Sequence, residues 1–290
     1  MQRNLYLSLF YAMITILLWS VTYVFTKLAM DYYSSASLAL LRCAVASACL
    51  GGVLVARKSP LPPLSSLPRF LLSGATGFAV YLIVFNMASK MLNPTTSCVI
   101  ISTTPIITAL LALLLFGEKL GVIRWLAIGM AFCGILVMAL WNGVLHLSTG
   151  TLWMLLAATL LSMYNILQRS LSKTIDPLAV AAYSFFAGTV MLLPFVPETV
   201  EQVRHASAEN IWLAVFLGAL PSAVANLFWA KAFALAPTTS TVSNTMFLTP
   251  FLALVFEYVV TAGLPGAETF VGGGIIMASL LVFVWASRKG

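Results

Sequence analysis

The chain has 290 residues, of which 61% are apolar and 8% charged, with a formal net charge of +7. Soluble domains carry about 25% charged residues, so this composition excludes a water-soluble globule. The basic stretches are no longer than the pairs Arg57-Lys58 and Arg288-Lys289, which excludes a nucleic-acid surface built on a run of positive charge.

In chain order the sequence is a series of apolar runs, each near the roughly 20 residues that cross a hydrocarbon core as a helix. They predict an all-α integral membrane protein with ten spans, at 5–29, 35–56, 69–91, 95–116, 121–141, 150–171, 177–196, 210–233, 238–261 and 267–287. The first run follows Arg3, exceeds a signal-peptide core and precedes no small-residue cleavage site, so it is expected to be a retained span. Ser59-Pro-Leu-Pro-Pro closes the second span and Asp176-Pro177 opens the seventh. Pro194, Pro197 and a charged stretch to Glu209 are expected to separate the seventh from the eighth. Cys43, Cys49, Cys98 and Cys133 all lie within apolar runs and form no CxxC pair, which suits reduced, packing cysteines.

The loop charges orient the spans. With a cytoplasmic N-terminus, Arg3, Arg57, Lys58, Arg69, Lys119, Arg124, Arg169, Lys173, Lys231, Arg288 and Lys289 fall inside. Only Lys27, Lys90 and Arg204 then fall outside, and Arg42 lies within a span. Basic residues favour the cytoplasmic side. Both termini are therefore expected in the cytoplasm, with the chain in a bacterial inner (plasma) membrane and the lipid bilayer around it.

The tetrapeptide Pro-Thr-Thr-Ser occurs at 94–97 and again at 237–240. Pro105 has a counterpart in Pro250, and Gly129 and Gly134 have theirs near Gly273 and Ala278. Tyr164-Asn165 falls within a residue or two of the counterpart of Ser20-Val-Thr22. Two repeats of five spans are expected, at 1–143 and 144–290. Five is odd, so the second copy enters the bilayer from the opposite face, an arrangement found in secondary transporters with a site between the halves. Pro94 and Pro237 suit the first turn of a helix. Pro105 and Pro250 are expected to kink spans four and nine, a disruption tolerated where backbone lines a cavity.

The segments "LLWSVTYVFTKLA" (17–29), "LALLRCAVA" (38–46), "TTPIITALLALLLFGEKL" (103–120) and "IGMAFCGILVM" (128–138) resemble the EamA-type drug/metabolite transporter superfamily. The aromatic-rich first half and "SMYNILQRSLSK" (162–173) look most like its YddG-type amino-acid exporters. The resemblance covers the chain as two EamA-like units. It implies ten helices, export of small metabolites, and motif residues at Trp19, Lys27, Arg42, Pro105 and Glu118. The second unit departs from the pattern: thirteen residues after Pro250 stands Gly263, and the acid of that span is Glu257 instead.

Charges within spans are costly and therefore informative. Arg42 is either a partner for a substrate carboxylate or a structural arginine near the outer face. Lys27, Lys90 and Lys231 lie near span ends, where snorkelling accounts for them. Glu257 is a candidate for proton coupling, though it lacks a partner histidine or aspartate. Glu118 and Lys119 at the inner end of span four could fix that helix end or form a gate. The midplane candidates are neutral: Trp19, Thr22, Tyr23 and Thr26 in span one, Tyr81, Phe85 and Asn86 in span three, and Tyr164 and Asn165 in span six. Asn226 and Trp229 in span eight, and Thr241, Ser243, Asn244, Thr245 and Thr249 in span nine, complete the set. The alternative for each is helix–helix hydrogen bonding without a substrate. As a group they predict a cavity of rings, amides and hydroxyls suited to a zwitterionic or amphipathic solute such as a neutral or aromatic amino acid. Gly129, Gly134 and Gly272-Gly-Gly274 are expected to serve helix packing.

Rival classes lack their chemistry. His146 and His205 stand in no catalytic or metal-binding spacing, and HExxH, Gly-x-Ser-x-Gly and GxxxxGK[ST] are absent. Enzyme, ATP-driven pump and filter channel therefore rank below a secondary transporter. Within the superfamily a multidrug or nucleotide-sugar carrier remains open, although sugar nucleotides call for more than one cavity base. The chain is expected to need no cofactor or metal, to act as a monomer, and to exchange its solute without a proton gradient.

Overall fold

The computed structural model describes residues 2–116, 121–141, 148–235, 242 and 244–289. Their regular structure is helical throughout, in ten segments. These are α1 (Gln2–Ala29), α2 (Ser35–Ala56), α3 (Leu64–Met91), α4 (Pro94–Leu115), α5 (Val122–Leu140) and α6 (Thr149–Leu171). There follow α7 (Pro177–Arg204), α8 (Ala208–Leu235), α9 and α10 (Ala267–Lys289). The described part of α9 is a 3₁₀ turn, Asn244–Leu248, continued as an α-helix over Thr249–Thr261. Eight helices are long and apolar enough to cross a membrane, and the shorter apolar stretches Val122–Met138 and Thr249–Thr261 belong to α5 and α9. Leu114, Trp125, Phe132 and Val259 stay exposed, as a lipid-facing surface requires.

Local chemistry sets the helix starts. Ser34, Ser148 and Ser207 each accept an amide three residues on, and Asp176 accepts those of Leu178 and Ala179. Pro177 takes the first turn, where a missing N–H costs nothing. One boundary differs from the sequence expectation. Pro194 and Pro197 do not end α7, because each sits in the first turn of a new helical segment, Leu193–Phe195 and Val196–Arg204. The charged stretch thus extends the helix to Arg204.

The packing has a two-fold pattern. α5 packs on α10 and α2 on α7, each helix against its own counterpart in the other repeat. α1 packs on α8 and α9, and α6 packs correspondingly on α3 and α4. Exchanging the repeats maps this set onto itself. At the α5–α10 contact Gly134 meets Ile276 while Gly272 meets Met138, so the two helices run in opposite directions. A Cβ on Gly134 would lie 2.7 Å from the Gly272 carbonyl oxygen, and one on Gly272 would lie 2.3 Å from Met138 Cγ. Glycine here lets two backbones touch. Equivalent helices that cross antiparallel make the second repeat an inverted copy of the first.

Four helices are interrupted at matching depths. α3 contains a π-helical segment, Ala75–Ala79, and α8 contains another, Gly218–Val224, around Pro221. Their first residues, Ala75 and Gly218, are separated by the same offset as the two Pro-Thr-Thr-Ser copies. In α4 the helix Pro94–Ile101 stops, Ser102 and Thr103 form a turn, and Thr104–Phe116 resumes with Pro105 in its first turn. Pro250 holds the same place in α9. Carbonyls freed at the α4 break are not left bare: Thr104 Oγ1 donates to Ile101 at 2.5 Å and Thr103 Oγ1 to Ile100 at 2.7 Å.

The residue before each of these prolines also receives a hydrogen bond from the other repeat. Ser20 Oγ of α1 donates to the Thr249 carbonyl at 3.2 Å. Ser162 Oγ of α6 donates to the Thr104 carbonyl at 3.1 Å. The two bonds are mates under the exchange of repeats, and both serines are fully buried. Ser20→Ala and Ser162→Ala should each lower stability by about 0.6–1.7 kcal/mol, the range for hydrogen bonds between membrane helices. Gly134→Leu should cost about 1–3 kcal/mol through overpacking. Thermal unfolding of the detergent-solubilised protein checks all three, and the two serine variants should match each other closely.

Candidate functional site

A cavity of about 630 Å³ lies where the interrupted segments converge. Each interruption contributes to its wall: Gly77 and Phe78 from the α3 π segment, Pro221 and Ser222 from that of α8, Ser102, Thr104 and Pro105 from α4, and Met246 and Thr249 from α9. A π turn carries one extra residue and re-aims the side chains around it. At Gly77 that backbone presses against the ring of Tyr164, where a Cβ would lie 2.3 Å from Cδ2. The glycine thereby lets the α6 tyrosine lie across the α3 backbone.

The sequence-predicted residues Trp19, Thr22, Tyr23, Arg42, Tyr81, Phe85, Pro105, Tyr164, Asn165, Asn226, Trp229 and Thr249 all line this cavity. Rings of the wall meet in three groups. Trp19 and Trp229 stand 5.1 Å apart across the repeats, Tyr81 stacks on Phe85 at 5.6 Å, Tyr23 meets Phe85 edge-on at 5.7 Å, and Phe78 meets Tyr164 at 5.1 Å. Trp19 Nε1 donates to the Pro221 carbonyl at 3.2 Å, which ties α1 to the α8 interruption. Asn226 Nδ2 donates to the Ser222 carbonyl at 2.6 Å. Arg42, buried, donates through Nη1 to Thr26 Oγ1 at 3.4 Å. Arg42 Nε, Tyr164 OH and Thr249 Oγ1 have no partner among the described residues.

Other sequence candidates lie elsewhere. Asn86 does not line the cavity; it is fully buried and donates to the Ser35 carbonyl at 2.9 Å, bracing α3 against the start of α2. One residue beyond Phe85 rotates a side chain by a quarter turn or more, which takes Asn86 off the cavity face. Pro250 is buried in the first turn after the α9 break. Lys231 lies over the rings of Tyr11 and Phe228 at 5.5 and 5.8 Å. Asn244 opens the 3₁₀ turn of α9. Glu118, Lys119, Thr241, Ser243 and the second Pro-Thr-Thr-Ser lie outside the described residues. The sequence reading missed Phe78, Gln168, Ser102 and Ser222, which also line the wall. Under the repeat offset Gly77 falls one residue from Pro221, and that was the available signal for the π segments.

The bundle is sealed at the end where α1 gives way to α2. Glu257, 4% exposed, accepts from the Thr95 amide at 2.8 Å and from Thr95 Oγ1 at 2.5 Å. Asn93 makes no side-chain cap for the helix that begins at Pro94, so a carboxylate from the other repeat supplies it. Thr96 and Thr269 share a hydrogen bond at 2.9 Å beside it. Tyr32 OH donates to the Gln202 carbonyl at 2.8 Å, and Gln202 Oε1 accepts from the Ser34 amide at 3.1 Å. Burial, and then the neighbouring Tyr32, push the Tyr33 hydroxyl above its ordinary value, so it stays neutral at physiological pH. The cavity extends the other way, past Thr108, Gln168, Trp229 and Val284.

Known proteins are similar to this chain. The model of the EamA-like transporter family matches twice, over residues 6–140 and 148–285. A "probable terminal-alkyne amino-acid exporter" of Streptantibioticus cattleyicolor is 30% identical over 93% of this chain and 90% of its own length. An uncharacterized transporter of Bacillus subtilis is 28% identical over 91% of this chain and 86% of its own. A crystal structure with 17% identity superposes at a TM-score of 0.63, covering 97% of this chain and 98% of that one, which is a likeness of fold. With two matched repeats, ten helices and membrane-spanning length, the chain belongs to the EamA-like transporter family.

Proposed function

We propose that the chain exports amino acids, neutral and aromatic ones above all, or close relatives of them, by alternating access through the cavity between its repeats. The observation that carries this reading is the cavity's composition: a lining of rings with amides and hydroxyls, and one guanidinium, Arg42. Rings pack an apolar side chain, and the polar groups receive the charged ends. The similarity to the "probable terminal-alkyne amino-acid exporter" of Streptantibioticus supports the same substrate class. A nucleotide sugar would bring several negative charges to a wall that holds one base among its described residues.

The loop charges support both termini lying in the cytoplasm, and the bacterial relatives support an inner-membrane location. In that orientation the Glu257–Thr95 and Thr96–Thr269 contacts seal the outer end, and the cavity extends toward the cytoplasm. Export then consists of loading from the inside, parting of those cross-repeat contacts, and closure of the inner end. Glu257 is absent from the cavity wall, and its carboxylate is engaged as a helix cap. This supports facilitated exchange without proton coupling.

Counterflow in liposomes, screened over the amino acids, should find at least one neutral or aromatic member; exchange of none would overturn the substrate class and leave the fold standing. The rate should be the same with and without a pH gradient, and Glu257→Gln should still exchange. Transport that needs the gradient and vanishes in that variant would contradict the mechanism. Trp19→Ala and Asn226→Ala should each lower exchange about tenfold, equivalent to about 1.4 kcal/mol, with the yield of folded protein unchanged by size-exclusion chromatography.

A further inference from the structure

Arg42 is the one charged side chain among the described residues of the cavity wall, and no acid stands there with it. It is 5% exposed. Its Nη1 bond to Thr26 is long at 3.4 Å, and its Nε has no partner among the described residues. The ion pair found among the described residues, His205 with Glu201, lies in the exposed end of α7 and not in the cavity. A buried guanidinium without a counter-ion gains strongly from an arriving anion. Its planar fork matches a carboxylate, which brings one negative charge to one positive charge.

The other end of an amino acid meets a different wall. Its ammonium finds no carboxylate among the described lining residues. It finds ring faces such as those of Trp19 and Tyr81, whose attraction for a cation is modest unless fully desolvated. The site is therefore lopsided: strong for the acid end of the solute and weak for the amine end. We propose that the cavity selects its solute by a carboxylate held on Arg42 and does not require the amino group, so that aromatic and apolar carboxylates lacking an amine are carried alongside amino acids. The inference rests on the amino-acid reading above for the apolar part of the solute, and extends it to a wider class.

The test uses the purified full-length chain, with binding read by tryptophan fluorescence and transport by counterflow. The probes are phenylalanine, 3-phenylpropionate, which lacks the amine, and phenethylamine, which lacks the carboxylate. Phenylpropionate should bind within about threefold of phenylalanine, and phenethylamine at least about thirtyfold more weakly, the asymmetry of a charge-assisted pair set against a cation–π contact. Arg42→Gln should weaken the two carboxylates and erase their advantage over the amine, with Arg42→Lys in between. Should the glutamine variant fail to fold, the three probes on the wild-type chain still decide. Phenylalanine bound without phenylpropionate overturns the inference and leaves the amino-acid reading intact. Phenylpropionate bound and exchanged while no amino acid exchanges supports the inference and overturns that reading. Phenethylamine bound as tightly as phenylalanine, or none of the three bound, overturns the inference.

Discussion

Two proline breaks lie within the helices, and each is tied to the opposite repeat by one hydrogen bond, from Ser20 to the Thr249 carbonyl and from Ser162 to the Thr104 carbonyl. Within hydrocarbon, each backbone group must find a partner inside the protein. A helix meets that demand by itself until it is broken. Pro105 and Pro250 break α4 and α9, and in each case a serine of the opposite repeat holds the carbonyl before the proline. At the α4 break the freed carbonyls are met locally by the Thr103 and Thr104 hydroxyls, and the serine bond fastens the resuming helix to the opposite repeat. The two bonds accompany the packing of α1 on α9 and of α6 on α4, a pattern that exchanging the repeats leaves unchanged.

The same constraint locates the cavity. Irregular backbone at membrane depth is tolerated only where protein or a cavity surrounds it. All the interruptions, two π segments and two proline breaks, contribute residues to one wall. The rings then close round the space they leave. Beyond the cavity the demand is met differently: the helix starting at Pro94 has no side-chain cap of its own, and Glu257 reaches from α9 to provide one. Contacts of this kind between repeats, few and polar, can part and re-form as the repeats move against each other. The glycine contact of α5 with α10 brings two backbones together, and it suits a fixed axis better than a gate.

Much of this was legible in the sequence, and the failures are physically specific. Apolar runs of membrane-spanning length determine the ten helices, and Pro-Thr-Thr-Ser with its following proline exposes the repeat, because proline's missing donor leaves a mark that composition alone does not. Trp19, Tyr81, Tyr164, Asn226 and Trp229 were found because polar and aromatic groups at membrane depth need a reason. Asn86 was grouped with them by proximity along the chain, yet it turns away and binds Ser35. The π segments left no mark except in Gly77 and Pro221, since an extra residue in a turn shifts the helical phase without changing composition. Ser20 and Ser162 were missed as a pair because a buried serine reads the same whether it bonds its own helix or another. The extension of α7 to Arg204 was missed because Pro194 and Pro197 read as terminators when they in fact begin new turns.

Single-cysteine accessibility shows whether one site between the repeats is reached from one side at a time. Ser102, on the cavity wall at the α4 break, is replaced by cysteine in a chain whose Cys43, Cys49, Cys98 and Cys133 have been removed. A membrane-impermeant thiol reagent is then applied to either face of vesicles of known orientation. Alternating access gives labelling from both faces over time, never through an open path, with the balance between faces shifted by a transported solute. Labelling from one face only under all conditions, or leakage of the reagent through the vesicle wall, would contradict it.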